Sequence, residues 1–240
     1  MKVPEVYFRN NTASTLTLLE AMLATGHDKL VFSSTAACYG EPESTPILED
    51  AKLKPTNPYG ESKLLVEQML GWMNVSHGFR YASLRYFNVA GAIEGYGEAH
   101  EPESHLIPLI LDVALGRRAS IKIFGQDYPT KDGTAVRDYI HVRDLAEAHL
   151  LALGALKEKS KMIYNIGNGQ GFTVLEVIES VRRVTGKPIA VEECARRAGD
   201  PAVLVASSEK IKAELGWRPQ FAELDQIISS AWEWHKQRYS

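Results

Sequence analysis

The chain has 240 residues, 45% of them apolar and 24% charged, which suits a buried core and a globular rather than a disordered fold. A net charge of −3 excludes a general attraction to nucleic acid or an anionic membrane, so an anionic ligand must be held by local arginines. The two cysteines, Cys38 and Cys194, have no metal-like spacing, no apolar run approaches the ~18 residues of a membrane span, and the first residues lack a signal-peptide core. The expectation is a cytoplasmic α/β protein with no metal site, no nucleic-acid partner and no membrane attachment.

In chain order, Leu16, Leu19 and Leu23 share one face of a helix that stops near Gly26. Lys29–Ser34 reads as a short buried strand. Pro58 opens the next helix, in which Val66, Met69, Leu70 and Met73 form an apolar stripe ending by Gly78. Arg80–Tyr86 is the next strand, and this helix–strand alternation predicts parallel βαβ units. Residues 89–104 are rich in Gly, Glu and Pro without periodicity, which suggests a functional loop or a domain crossover. A helix near 105–115, a strand at Ile121–Phe124, a turn at Asp132-Gly133, a strand at Arg137–Ile140 and a helix at Val142–Leu156 follow. Met162–Ile166 reads as a strand. Thr173 and Glu176 form a capping-box pattern opening a helix to Gly186. Glu223–Gln237 is an amphipathic helix whose predicted inner face carries Ile227, Ile228, Ala231 and Trp234.

Chemistry enters at Tyr59-Gly-Glu-Ser-Lys63, where a phenol and an ammonium lie four residues apart on one helical face. Proton abstraction from an alcohol wants this pair. A free tyrosine has a pKa near ~10, so a base at neutral pH needs a depression of about three units, roughly 4 kcal/mol. A lysine cation and a cofactor cation in a desolvated site supply effects of that size. Alone the pair is a common accident. Its context is not: Ser33-Ser34-Thr35 ends the preceding predicted strand, at the sheet edge where open α/β folds bind ligands, and Arg85-Tyr86-Phe87-Asn88 ends the next one.

These blocks, with Val31–Gly40, Asn57–Lys63, Leu84–Gly91, Ile123–Val142 and Arg196–Asp200, resemble the extended short-chain dehydrogenase/reductases and, within them, the UDP-galactose (UDP-glucose) 4-epimerases. The resemblance runs from about Tyr7 to Trp217. It implies an α/β fold: an incomplete Rossmann-like doubly wound parallel sheet plus a smaller α/β substrate-binding domain. Residues 1–88 would be the C-terminal part of the NAD-binding domain. Residues 89–240 would mainly bind the sugar nucleotide, with about 137–166 returning to the first domain.

By the same resemblance Tyr59 is the base that takes the proton from the sugar 4-hydroxyl, Lys63 lowers its pKa and bonds the nicotinamide ribose, and Thr35 bridges the hydroxyl and the phenol. NAD takes the C4 hydride and returns it to the other face of a 4-keto sugar, interconverting UDP-glucose and UDP-galactose. Asn10 and Phe87 match cofactor-contacting positions. Asn88, Leu106, Phe124, Arg137, Tyr139, Arg197 and Asp200 match the uridine-diphosphate site, in keeping with charge-assisted arginine forks to a diphosphate. A homodimer through the helices near 12–25 and 58–76 is implied as well. Related 4,6-dehydratases follow the Thr with an Asp-Glu pair. Ala36 and Ala37 stand there and cannot move protons.

The fold should begin with a strand and a glycine-rich turn for the NAD pyrophosphate. No such turn precedes Tyr7, and the family pattern implies about 90 further residues before it. Gly167-Asn-Gly-Gln-Gly171 imitates such a turn, but its third glycine comes one position early and the resemblance puts it in the second half. Two readings therefore stay open: an epimerase, or a non-catalytic remnant that binds a nucleotide sugar or nothing.

Overall fold

A computed structural model of the chain describes residues 3–93, 95–197 and 199–239. Glu94 in the irregular stretch and Ala198 in the Arg196–Asp200 block lie outside the described residues. The elements are α1 (Pro4–Tyr7), a π-helical turn (Phe8–Ala13), α2 (Ser14–Ala24), β1 (Lys29–Thr35), a 3-10 turn (Ala36–Cys38), α3 (Pro58–His77), β2 (Arg80–Tyr86) and β3 (Asn88–Ala90). Then come α4 (Leu106–Ala114), β4 (Ile121–Phe124), β5 (Val136–His141), α5 (Val142–Ala155), β6 (Lys161–Ile166), β7 (Gly171–Thr173), α6 (Val174–Thr185), β8 (Val191–Cys194), β9 (Val203–Leu204), α7 (Glu209–Leu215) and α8 (Leu224–Tyr239).

The chain divides into two units. The first gathers Met1–Tyr86, Glu147–Ile166 and Ser207–Trp217; the second gathers Phe87–Ala146, Gly167–Ala206 and Arg218–Ser240. In the first, β1, β2 and β6 form a parallel sheet in the order β1-β2-β6, with Thr35 opposite Tyr86 and Tyr86 opposite Ile166. The middle strand β2 is buried from Tyr81 to Arg85, as a parallel strand covered on both faces must be. Leu19, Phe32, Val66, Leu70, Phe79 and Tyr81 form an apolar cluster joining the helices to this sheet.

A charged network crosses the same unit. Arg85 and Glu67 are 2% and 6% exposed. Arg85 donates Nε to Glu67 Oε1 at 2.9 Å and Nη2 to Oε2 at 2.5 Å. Its Nη1 reaches the Tyr39 hydroxyl at 2.9 Å and the Glu49 carbonyl at 3.2 Å. Ser34 Oγ donates to Glu67 Oε1, and the Tyr39 hydroxyl donates to Asn165 Oδ1 at 2.7 Å. Glu67 sits in the middle of the apolar stripe of α3, which sequence patterning alone treats as a break.

The second unit holds β3, β5, β7 and β9 in one sheet, with β5 paired in parallel to β3 and β9 and antiparallel to β7. β4 and β8 pair separately in parallel. The capping box forms as the spacing predicts: Glu176 N donates to Thr173 Oγ1 and Thr173 N to Glu176 Oε2. Ile107, Ile110, Leu111, Val177, Ile178, Val181, Ile227 and Ile228 are among the residues of its core.

One expectation is corrected. On α8 the buried tryptophan is Trp232, not Trp234, because Leu224, Ile228, Trp232 and His235 follow the helical period; Trp234 Nε1 instead donates to the Glu98 carbonyl at 3.0 Å. On α2, Leu19 is buried but Leu16 is 44% exposed, since only the residues from Leu19 onward reach the apolar cluster. The short strands β3, β7, β8 and β9, and helix α7, went unpredicted. Two to four residues show no period, and these strands are defined by partners distant in sequence. Among the described residues no helix is long and apolar enough to cross a membrane.

Glu67→Gln leaves Arg85 buried without its carboxylate. The expected result is a loss of about 3–5 kcal/mol of unfolding free energy, read by urea denaturation. A loss below about 1 kcal/mol, the value of an exposed pair, would contradict a buried role.

Candidate active site

The first unit assembles three of the sequence-derived site residues. α3 starts sharply: Pro58 occupies the first turn, and the Asn57 side chain accepts from Gly60 N at 2.9 Å. Gly60 is needed for close approach. A Cβ there would lie 2.5 Å from the Ala37 carbonyl oxygen, so a larger residue would push the start of α3, and Tyr59 with it, off the 3-10 turn. That turn is capped by Thr35, whose Oγ1 accepts from Ala37 N at 3.1 Å. Thr35 also stands close enough to the Tyr59 phenol to favour its ionised form.

One turn along, Lys63 Nζ donates to the Ser33 carbonyl at 3.0 Å and lies 5.1 Å from the Phe32 ring centre and 5.9 Å from that of Tyr59. The end of β1 and one face of α3 thus bring a hydroxyl, a phenol and an ammonium together. Burial pushes the Tyr59 phenol above its ordinary value, while Thr35 works the other way. Burial likewise holds Lys63 below the usual lysine range. Within these residues Tyr59 is therefore a neutral acid, and Lys63 by itself does not bring it down. Cys38, pushed up to about 11 by burial, is an inert neighbour.

Asn10 is exposed on the π-helical turn. Its neighbours reach α3 instead: Asn11 Nδ2 donates to Ser62 Oγ at 2.9 Å and Thr12 Oγ1 to the Ser62 carbonyl at 3.1 Å. Tyr7 meets the Tyr59 ring edge-on at 6.1 Å. Sequence reasoning missed these three contacts, and no local spacing signals them.

The second unit holds the remaining predicted residues. Phe87 is buried. Asn88 stands opposite Tyr139 in the β3–β5 register, and burial pushes the Tyr139 phenol up to about 12. Leu106, the first residue of α4, packs on the core.

Four others form two pairs, linked where Asp200 N donates to the Arg197 carbonyl at 3.4 Å. The Arg197 guanidinium lies over the Phe124 ring at 3.7 Å, and Arg137 is ion-paired with Asp200. Beside them Arg196, not predicted, covers Tyr128 at 4.1 Å and bonds Asp127. The two arginines can donate to a diphosphate, the acid can accept from hydroxyls and the aromatic face can stack on a base.

The glycine turn at 167–171 is not such a site. The buried Asp138 carboxylate takes Asn168 N at 2.8 Å, Gly169 N at 3.0 Å and Ala206 N at 3.1 Å. A Cβ at Gly167 would lie 2.5 Å from that carboxylate. The amides that a phosphate would need are held by the protein itself.

Residues 1–167 match the family model described as the NAD dependent epimerase/dehydratase family. The UDP-glucose 4-epimerase of Streptomyces lividans is 57% identical over 232 residues, 97% of this chain and 70% of that protein. That of Lacticaseibacillus casei is 53% identical over 239 residues, 98% of this chain and 72% of that protein. Among solved structures, UDP-glucose 4-epimerase from Bifidobacterium longum in complex with NAD+ and UDP superposes with a TM-score of 0.93 at 39% identity, covering 98% of this chain and 71% of that one. With the resemblance read from its motifs, this similarity makes the chain a member of the NAD dependent epimerase/dehydratase family.

Proposed function

We propose that the protein interconverts UDP-glucose and UDP-galactose by removing and returning hydrogen at carbon 4. The observation that carries this reading is the convergence of Thr35 and Lys63 with Tyr59 at the end of β1. The names of the relatives and the NAD+ and UDP in the solved structure agree with it.

The residues present suit the nicotinamide end of NAD: Lys63 and Tyr59 would hold its ribose, with Phe87 and Asn10 as further contacts. When bound, NAD supplies a hydride acceptor and donor for carbon 4 and a positive ring. That charge favours the ionised Tyr59 phenol, against the burial that raises it. Tyr59, once ionised, takes the proton of the sugar 4-hydroxyl through or beside Thr35 and later gives it back. Asn88, Leu106, Phe124, Arg137, Tyr139, Arg197 and Asp200 would hold the UDP moiety, Phe124 covering the uracil and the arginines the diphosphate. The first unit would then be the cofactor side and the second the nucleotide-sugar side. The free thiols of Cys38 and Cys194 suit a reducing cytoplasm. A reading as a nucleotide-sugar-binding protein without turnover differs in one measurement: UDP would bind, with no interconversion of the sugars.

Three outcomes test this. Tyr59→Phe in the native enzyme should lower kcat by ~10²–10⁴ while UDP affinity by calorimetry stays unchanged. A kcat close to the parent's would remove Tyr59 from the chemistry. Leu204, half-buried on β9 opposite Arg137, is proposed to limit the sugar 2-substituent. Overpacking there costs ~1–3 kcal/mol, so kcat/KM should favour the plain hexoses by roughly tenfold, and Leu204→Gly should narrow the gap. Lastly, a homodimer through α2 and α3 accounts for the exposure of Leu16, Leu18, Trp72 and Val75. Trp72→Glu should shift the mass measured by light scattering from dimer to monomer.

A further inference from the structure

We propose that His100, Glu103 and His105, with Glu98 as a fourth side chain, form a binding site for a divalent cation of the zinc class. The four residues lie on the segment that leads into α4, all in the second unit. One ligand atom from each of His100, Glu103 and His105 lies within 4.8 Å of the others, the only such His/Cys/Asp/Glu grouping among the described residues. His105 Nδ1 is 2.8 Å from Glu103 Oε1 and 3.8 Å from Glu98 Oε2. The two imidazole rings meet edge-on with centres 5.5 Å apart.

Zinc bonds imidazole nitrogen and carboxylate oxygen at about 2.0–2.2 Å, which puts neighbouring ligand atoms of a tetrahedral site about 3.4 Å apart. Reaching that spacing takes side-chain rotations, available because His105 is half-exposed. The chemistry of the set selects the metal. Two neutral imidazoles with carboxylates suit zinc and its neighbours, whereas magnesium and calcium want oxygen alone.

The backbone is arranged for the purpose. Ser104 N and His105 N both donate to Glu103 Oε1, at 2.6 and 2.7 Å, and His100 N donates to Glu98 Oε1 at 2.9 Å. Each carboxylate is thus held by one oxygen, and Oε2 takes no part in these bonds. Glu98 is fixed in turn by the Trp234 indole, which donates to its carbonyl at 3.0 Å, with the same ring against Gly97. Two carboxylates converging on one imidazole place negative potential where a cation would sit. A bound cation would clamp 98–100 to 103–105 and fix the approach to Leu106. The cysteine count, on which the expectation of no metal rested, is blind to a site made of histidine and glutamate.

The test is calorimetric titration of the untagged native protein with zinc chloride. One equivalent should bind with micromolar or tighter affinity. His100→Ala and His105→Ala should each weaken it at least tenfold, the double variant should abolish it, and His77→Ala, on another helix, should leave it unchanged. Zinc should also alter tryptophan emission in the parent but not in the double variant. Circular dichroism establishes that the variants fold. Absence of a stoichiometric site, or binding that survives in the double variant, overturns the proposal.

Discussion

Among the described residues, the first unit depends on one buried ion pair. Arg85 presents a planar fork that satisfies both oxygens of Glu67 and still has donors for the Tyr39 hydroxyl and the Glu49 carbonyl. Through it β2 is joined to α3, and through Ser34 and Asn165 the connection extends to β1 and β6. Taking two charges out of water costs several kcal/mol each, and the Coulomb gain repays this only with near-complete hydrogen bonding. That condition is met here. The consequence is geometric: Glu67 lies one helical turn beyond Lys63, and Ser34 immediately precedes Thr35. The pair fixes the rotation of α3 about its axis, and so the direction from which Tyr59 and Lys63 approach the end of β1.

The meeting of Thr35, Tyr59 and Lys63 rests on that placement. Gly60 permits the close contact of α3 with the 3-10 turn, and the Ser33 carbonyl holds Lys63. Desolvation acts on both titratable groups in the direction of neutrality, raising the phenol and lowering the amine. Added positive charge near the phenol acts against that shift and favours its ionised form.

In the second unit the polar groups are paired with one another. Asp138 holds three backbone amides and thereby ties β5 to the 167–169 turn and to the segment after β9. Arg137 is paired with Asp200, and Arg197 rests on Phe124. A nucleoside diphosphate that used these four groups would exchange existing contacts for new ones. Its affinity would therefore reflect a difference of interactions and fall short of their sum.

The sequence by itself determined the long elements, the Tyr59–Lys63 spacing and the family. Helices such as Pro58–His77 and Val174–Thr185 are written in local terms, an N-cap, an apolar stripe and a terminal glycine, and strands such as Lys29–Thr35 in an apolar run. Tyr59 and Lys63 are legible for the same reason: four residues along a helix is a fixed distance. Only the tertiary structure decided that Glu67 is a buried partner within an apolar stripe, that Trp232 and not Trp234 enters the core, and that a glycine-rich turn serves a buried aspartate. It also decided the short strands β3, β7, β8 and β9, and the meeting of Tyr7 with Tyr59. Each of these depends on groups far apart in the chain, and local pattern carries no information about which distant donor will satisfy a given acceptor.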